Sequence, residues 1–336
     1  MKRLKPSRAA ALLEQFQNKK ILVIGDLMLD EFLWGRARRI APEAPVPIVE
    51  IERETLHIGG AGNVAANLAQ LGAKPMVIGV RGIDANGERL CGEFEKINID
   101  TCSIVLDSSR PTTVKTRIIA HSQHVVRADR EKKTPVNKEI EAQLVENFLW
   151  LLPTVEAVVV SDYEKGVITP SLLEKILTPA IAQNIPVCVD PKLKNFEYYH
   201  PATIVTPNQN EAESASRITI DSSENLSLAG ERLRQILQGA SVLITRGEEG
   251  MSLFENNNEV VNVPTIAREV YDVTGAGDTV VATLALGLAC GASMLESAIL
   301  ANYAAGVVVA KVGTATASAQ EVLAEIDNFF HHNVKE

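Results

Sequence analysis

The sequence predicts an α/β protein, a mostly parallel sheet covered by helices on both faces, with a small β-rich flap. Three observations carry that expectation. Short apolar runs ending in polar residues recur along the 336-residue chain. Amphipathic segments of helix length lie between most of them, and two stretches alternate in the manner of exposed strands.

The first run, "KILVIGD" (20–26), is a short apolar run that closes on Gly-Asp, as a strand buried on both faces should. "MVIGV" (76–80), "AVVVSD" (157–162), "VCVD" (187–190), "TIVT" (203–206) and "SVLITRG" (241–247) repeat the pattern. Helical segments over 137–151, 170–183 and 225–239 separate later runs. Strand and helix in alternation build a parallel sheet, and ligands of such sheets bind at the carboxyl ends of the strands. Asp26, Ser161, Asp162, Asp190, Thr206 and Asn208 stand at those ends, more polar groups than solubility requires. Residues 34–58 and 111–128 break the rhythm and read together as the flap, suited to a lid, a dimerisation surface or both. The apolar run 280–294 carries Gly287 and Gly291, falls short of a membrane span and reads as a buried helix.

A net charge of −9 speaks against nucleic acid as a partner, which calls for a basic face. Cys91, Cys102, Cys188 and Cys290 are scattered, with no C-x-x-C pair, and read as free thiols in a reducing compartment. The first twenty residues hold too short an apolar stretch for a signal-peptide core. The expectation is a cytoplasmic protein with no membrane partner.

Two glycine clusters carry the chemistry. "GGAGNVAANLAQLG" (59–72) contains G-x-G-x-x-A at Gly60, Gly62 and Ala65, with Asp84 about twenty residues on, so a dinucleotide fingerprint has to be weighed. Its context is poor, because the residues leading into it read as flap. It reads also as glycines that let a helix start close to other backbone, or as a helix start whose free amides and Asn63 face a polar ligand. In "VTGAGDT" (273–279), Gly275, Ala276 and Gly277 are small enough for their amides to converge on an anion, and Asp278 stands beside them. That carboxylate is either a general base or a helix cap; on spacing alone the two readings stand level. No G-x-x-x-x-G-K-[ST] loop occurs, so phosphate chemistry here needs another scaffold.

These two clusters, with "TPNQNEAE" (206–213) and "TRGEEGM" (245–251) between them, resemble the signature segments of the ribokinase-like carbohydrate kinases, the phosphofructokinase B family, collinearly from about residue 20 to 325. "GDLMLDEFLWGRARRIAPEAPVPIVE" (25–50) and "SDYEKG" (161–166) are most similar to members that act on D-glycero-β-D-manno-heptose 7-phosphate. The resemblance implies one domain over 1–336, a three-layer αβα sandwich with a small β-rich lid. It also implies ATP and Mg²⁺ as cofactors, and phosphorylation of the sugar's C1 hydroxyl in ADP-heptose synthesis. Some relatives are fused to a nucleotidyltransferase domain; this chain is expected to be the stand-alone kinase, and a homodimer.

Carried over by residue, the resemblance makes Asp278 the base and the amides of Gly275, Ala276 and Gly277 its anion hole. Asn208 and Glu211 would order Mg²⁺ through water. Thr245, Arg246 and Gly247 fall on the nucleotide loop, Lys192 could reach a phosphate, and Asn302 is an adenine neighbour. Asp26, Asp30, Gly59, Gly60 and Asn63 match positions that hold sugar hydroxyls, and Asp162 ends a strand facing the same crevice. Asp272 and Thr274 could serve a monovalent cation, K⁺. For the substrate phosphate the candidates are Arg36, Arg38 and Arg39 in one flap segment and Lys115 and Arg117 in the other, solvated flap or dimer contacts being the plain alternative. Trp34 could pack on the sugar or in the flap itself. Competing readings are a kinase for fructose 1-phosphate or ribose, an NAD-dependent oxidoreductase, and a non-catalytic sensor, which would need neither base nor metal pair.

Overall fold

Strand β1 (Lys20–Gly25) is buried on both faces because every residue from Ile21 to Ile24 is apolar: Ile21 and Val23 enter one hydrophobic cluster, Leu22 and Ile24 the other. The computed structural model describes residues 4–121, 123–255, 260–266, 270–311 and 315–333. Helix α1 (Pro6–Gln15) precedes β1. After it come β2 (Leu27–Ile40), β3 (Pro47–Gly60), α2 (Ala61–Gln70), β4 (Lys74–Arg81), α3 (Ala85–Lys96), β5 (Ile104–Leu106), β6 (Thr113–Ala120) and β7 (Gln123–Arg130). The middle of the chain holds α4 (Lys138–Leu151), β8 (Ala157–Ser161), α5 (Pro170–Ala182), β9 (Val187–Asp190), β10 (Ile204–Val205), α6 (Gln209–Ser216), α7 (Ser223–Ile236) and β11 (Ser241–Thr245). It closes with β12 (Met251–Phe254), β13 (Val260–Val263), α8 (Ala276–Ala289), α9 (Met294–Val309) and α10 (Ala319–Asn333).

The large sheet runs β13-β12-β11-β10-β9-β8-β1-β4-β5, parallel from β11 to β5, with β12 and β13 antiparallel at one edge. Helices α4 to α7 cover the Leu22/Ile24 face, and α1, α2, α3 and α8 to α10 the other. Asn137, Thr169 and Ser222 each cap the helix that follows through a side-chain acceptor, worth ~1 kcal/mol apiece, which is why α4, α5 and α7 begin where they do. This is the ribokinase-like α/β architecture expected, with the small second sheet ordered β3-β2-β6-β7.

Two boundaries differ from the sequence reading. The flap begins at Leu27, seven residues earlier: Leu27, Met28 and Leu29 are buried in the core, so they mimic a continuation of the β1 run. The apolar run 280–294 is not one helix throughout: α8 ends at Ala289, and only the run's last residue, Met294, enters α9. Gly291 takes a left-handed φ of +71° after α8, and Ser293 with Glu296 forms a capping box that starts α9. No described helix is long and apolar enough to cross a membrane.

Candidate active site

Two helix starts meet at the carboxyl edge of the large sheet. Gly60 (φ +59°) opens α2 and Gly275 (φ +81°) opens α8, both in the left-handed region that glycine tolerates. A β-carbon on Gly275 would stand 2.8 Å from Asn63 Nδ2, so glycine there also lets the two helices close up. Asn63 Nδ2 donates to Asp278 Oδ2 at 2.7 Å, and Thr279 Oγ1 donates to Asn67 Oδ1 at 2.8 Å. The Tyr163 hydroxyl, from the loop after β8, donates to Asp278 Oδ1 at 2.8 Å.

Asp278 is not a cap. Gly275 holds the N-cap position and no side chain caps the helix; Asp278 sits three residues in and lines a cleft of about 150 Å³. Burial raises its pKa to about 6, against the hydrogen bonds from Asn63 and Tyr163 and the nearby Lys192 charge, which pull it down. A carboxylate with that value is ionised at neutral pH and still basic enough to take a proton. Of the adjacent amides, Ala276 N–H donates to Val273 O at 3.2 Å, whereas those of Gly275 and Gly277 have no main-chain partner among the described residues. A β-carbon on Gly277 would meet nothing within 4 Å, so the space over this turn is open to an anion.

Lys192, Asn208, Glu211 and Thr245 line the opposite side of the cleft. Asn208 and Glu211 form a capping box at the start of α6, each side chain accepting the other's amide at 3.0 Å. The remaining Glu211 oxygen is ion-paired with Lys192 Nζ. Burial lowers the Lys192 pKa, but the carboxylates of Asp190 and Glu211 outweigh it and the net shift is upward. Burial lifts Asp190 itself well above the usual carboxylate range. Among the described residues no group of three or more His, Cys, Asp or Glu could hold a metal. The residues present nonetheless fit Mg²⁺ carried by phosphates, since that ion keeps several waters and needs only one or two protein carboxylates.

The other donor-side candidates stand back from the cleft. Arg246 is ion-paired with Glu249, Gly247 (φ +56°) faces open space, and Asn302 is buried on α9, its Nδ2 donating to Pro264 O at 2.7 Å. Asp272 Oδ1 accepts the Thr274 amide at 2.9 Å in a loop tied to Val309 O at the end of α9. On the sugar side, Asp30 of β2 is ion-paired with Arg117 of β6 and lies opposite Lys115 in the ladder. A β-carbon on Gly59 would stand 2.3 Å from Asp30 Oδ2, which explains glycine at that position. Lys115 Nζ lies 5.5 Å from the centre of the Tyr163 ring, and burial lowers its pKa.

Three expectations are corrected, and one competing reading falls. Asp26 does not hold a hydroxyl: 1% exposed, it accepts the amides of Tyr163, Lys165 and Val167 at 2.8, 3.1 and 3.1 Å and braces that loop. Asp162 is fully buried, accepting from Asn195 Nδ2 and Tyr199 OH at 2.7 Å and from the Glu164 amide at 2.8 Å. Arg38 is exposed toward the far end of β2, eight residues and so roughly 26 Å from Asp30; Arg36, in the same half, pairs with Glu52 at 3.0 Å. Arg39 is exposed as well, and Trp34 packs within the small sheet, bonded to Thr55 Oγ1 at 3.1 Å under the Arg53 guanidinium. Finally, Gly60, Gly62 and Ala65 follow β3, an antiparallel strand of the small sheet, and Asp84 caps α3, so the dinucleotide fingerprint lacks its parallel strand. In the other direction, Tyr163, Asp190 and Thr206 line the cleft without having been given a role in the sequence reading. Strand-end position signalled the last two; Tyr163 stands inside the "SDYEKG" segment (161–166), which marked the stretch without giving this residue a role.

The profile of the pfkB family carbohydrate kinases matches residues 18–321. The chain is 49% identical over 316 residues to "Bifunctional protein HldE" of Trichlorobacter lovleyi, covering 94% of this chain and 64% of the relative. It is 45% identical to the protein of the same name from Helicobacter pylori, covering 90% and 65%. The chain thus spans a little under two thirds of the curated relatives it matches. Among solved structures it is similar to Escherichia coli phosphofructokinase-2 in complex with potassium, with a TM-score of 0.76, 19% identity, and 93% and 99% of the two chains covered. Arabidopsis thaliana ribokinase complexed with ribose and ATP gives a TM-score of 0.71 and 19% identity over 92% and 99%. At that identity the likeness is one of fold.

Proposed function

The chain belongs to the pfkB family of carbohydrate kinases, and from that premise we propose that it transfers the γ-phosphoryl group of ATP to the C1 hydroxyl of D-glycero-β-D-manno-heptose 7-phosphate, yielding the 1,7-bisphosphate for ADP-heptose synthesis. The observation that carries the reaction is Asp278: a carboxylate with a pKa of about 6, at the head of a buried helix, beside two glycine amides with no main-chain partner among the described residues and across a cleft from Lys192.

The acceptor hydroxyl approaches Asp278, which takes its proton as the oxygen bonds to the γ-phosphorus and the bond to the ADP oxygen breaks. The amides of Gly275 and Gly277 and the Lys192 ammonium face the charge on the transferred group. Mg²⁺, when bound with ATP, neutralises phosphate charge; Asn208 and Glu211 would contact it through water, after Lys192 turns from Glu211 to a phosphate. Thr245 lines the nucleotide side, with Arg246, Gly247 and Asn302 further out, and Asp272 with Thr274 is the candidate K⁺ loop. Asp30, Gly59, Gly60 and Asn63 would shape the sugar pocket. For the 7-phosphate, Lys115 is the first choice: buried beside Asp30, it also has the charges of Lys165, Arg117 and Arg127 nearby, so four cations share this corner with an incoming anion. The heptose assignment rests on the segments 25–50 and 161–166, and the HldE relatives support it. A cytoplasmic location goes with ATP as donor.

The test is ADP release with ATP and Mg²⁺ against the β-heptose 7-phosphate, its α anomer, fructose 1-phosphate, fructose 6-phosphate and ribose. Turnover confined to the β-heptose phosphate is expected. Turnover on another sugar would discard the substrate and keep the reaction.

The small sheet is also the proposed homodimer surface. Every described residue of β7 is exposed, as are Ile40, Val46 and Ile51 on β2, β3 and the loop joining them, an unusual amount of open strand and apolar surface for a monomer. Sedimentation velocity should give about twice the monomer mass; a single monomer boundary at micromolar concentration would refute it.

A further inference from the structure

We propose that Tyr163 is a positioning residue for this reaction: its hydroxyl, bonded to one oxygen of Asp278 while Asn63 holds the other, keeps the carboxylate ionised and fixes which of its acceptor directions remain for the sugar. The role rests on Asp278 being the base, as argued above.

The geometry is closed on three sides. Tyr163 OH lies 2.8 Å from Asp278 Oδ1, and Asn63 Nδ2 lies 2.7 Å from Oδ2. A carboxylate offers about four acceptor directions, so two are filled and two remain for the acceptor hydroxyl. Two ammonium groups approach the Tyr163 ring, Lys115 Nζ of the small sheet at 5.5 Å and Lys192 Nζ from the loop after β9 at 5.7 Å. Its main-chain amide is pinned by Asp26 at 2.8 Å. The hydroxyl therefore cannot drift from the carboxylate without breaking contacts to both halves of the cleft.

Burial, with the charges of Asp278 and Asp190, pushes the Tyr163 hydroxyl well above its ordinary range. It keeps its proton and acts only as donor toward the ionised carboxylate. The charged groups facing Asp278 are Lys192 from the loop after β9, Asp190 at the end of β9 and Asp30 from β2; only Tyr163 and Asn63 hydrogen-bond to its side chain among the described residues. Removing the hydroxyl leaves burial and the two acids with less to oppose them, so the Asp278 midpoint must rise.

Tyr163→Phe isolates the hydroxyl because it keeps the ring that the two lysines approach. The probe is the ¹³C signal of the Asp278 carboxyl in aspartate-labelled protein, identified by its loss in Asp278→Asn and titrated without sugar or nucleotide. The wild-type midpoint should lie near 6, and that of Tyr163→Phe higher by roughly one to two pH units, the worth of one hydrogen bond to a charged group. The acid limb of kcat/KM should move by the same amount, so the variant loses ~10- to 100-fold below pH 6 and recovers at pH 9. An unmoved carboxyl midpoint overturns the proposal, as does a moved midpoint with an unmoved kinetic limb. A moved midpoint in a protein that phosphorylates none of the sugars upholds the contact and discards the proposed reaction instead.

Discussion

Asp278→Asn is expected to lose about a hundredfold to ten-thousandfold of kcat, the range for removing a general base, while the Kd for ATP changes little. The amide is nearly the size of the carboxylate but cannot accept the hydroxyl proton, and one of its two ends can no longer accept from Tyr163 or Asn63. The groups on the nucleotide side, Lys192, Asn208, Glu211 and Thr245, are untouched. Stability should move the other way. A carboxyl whose folded pKa lies near 6 rather than near 3.8 stabilises the fold only while protonated, and that contribution disappears as pH rises through 6. At pH 8 the buried charge is a cost that the neutral amide avoids, so the thermal midpoint of the variant should hold or rise. ADP release, calorimetric titration with ATP and a melt at pH 8 check the three parts. A variant with near wild-type kcat would remove Asp278 from the mechanism.

The sequence revealed what depends on local pattern. Runs such as 21–24 and 157–160 are apolar at every position because both faces of a parallel strand are covered, and that shows in the letters. "VTGAGDT" and "GGAGN" marked the two helix starts that the fold brings together, since small residues are what a left-handed start and a close approach demand. What escaped were choices made across long separations. Asp26 and Asp30 look alike in the sequence, yet one turns inward to three amides while the other faces Arg117, and nothing within a few residues distinguishes them. Asn208 and Glu211 were read from the resemblance as a metal pair alone, yet N-x-x-E also satisfies a capping box, and in the fold they make one. Tyr163 lay within the quoted segment 161–166, but its role stayed hidden because its partner is 115 positions away.

The difference between those two acids yields the second large effect. Asp26→Ala should lower the thermal midpoint by several degrees and kcat by about tenfold, with little change in KM for the sugar. The side chain accepts three amides from one five-residue loop, 163–167, in a site 1% exposed. An unsatisfied buried donor costs ~1–3 kcal/mol, and water entering the space left by the carboxylate can serve only part of the set. Burial, with Asp162 nearby, raises the Asp26 pKa to about 6, so removing its charge returns some of that loss above pH 6. The net cost is therefore on the order of one or two unmade bonds rather than three. The loop holds Tyr163, and a loop freed from Asp26 no longer aims that hydroxyl at Asp278; the loss in kcat follows even though Asp26 lies outside the cleft. Were Asp26 instead a ligand of the sugar, the same substitution would raise KM and leave the melt nearly unchanged. Initial rates over a range of sugar concentration, read beside a melting curve, separate the two. Asp26→Asn sharpens the comparison: one amide oxygen can still accept Tyr163 and Lys165, leaving only Val167 facing a donor, so its melting loss should be well under half that of the alanine variant.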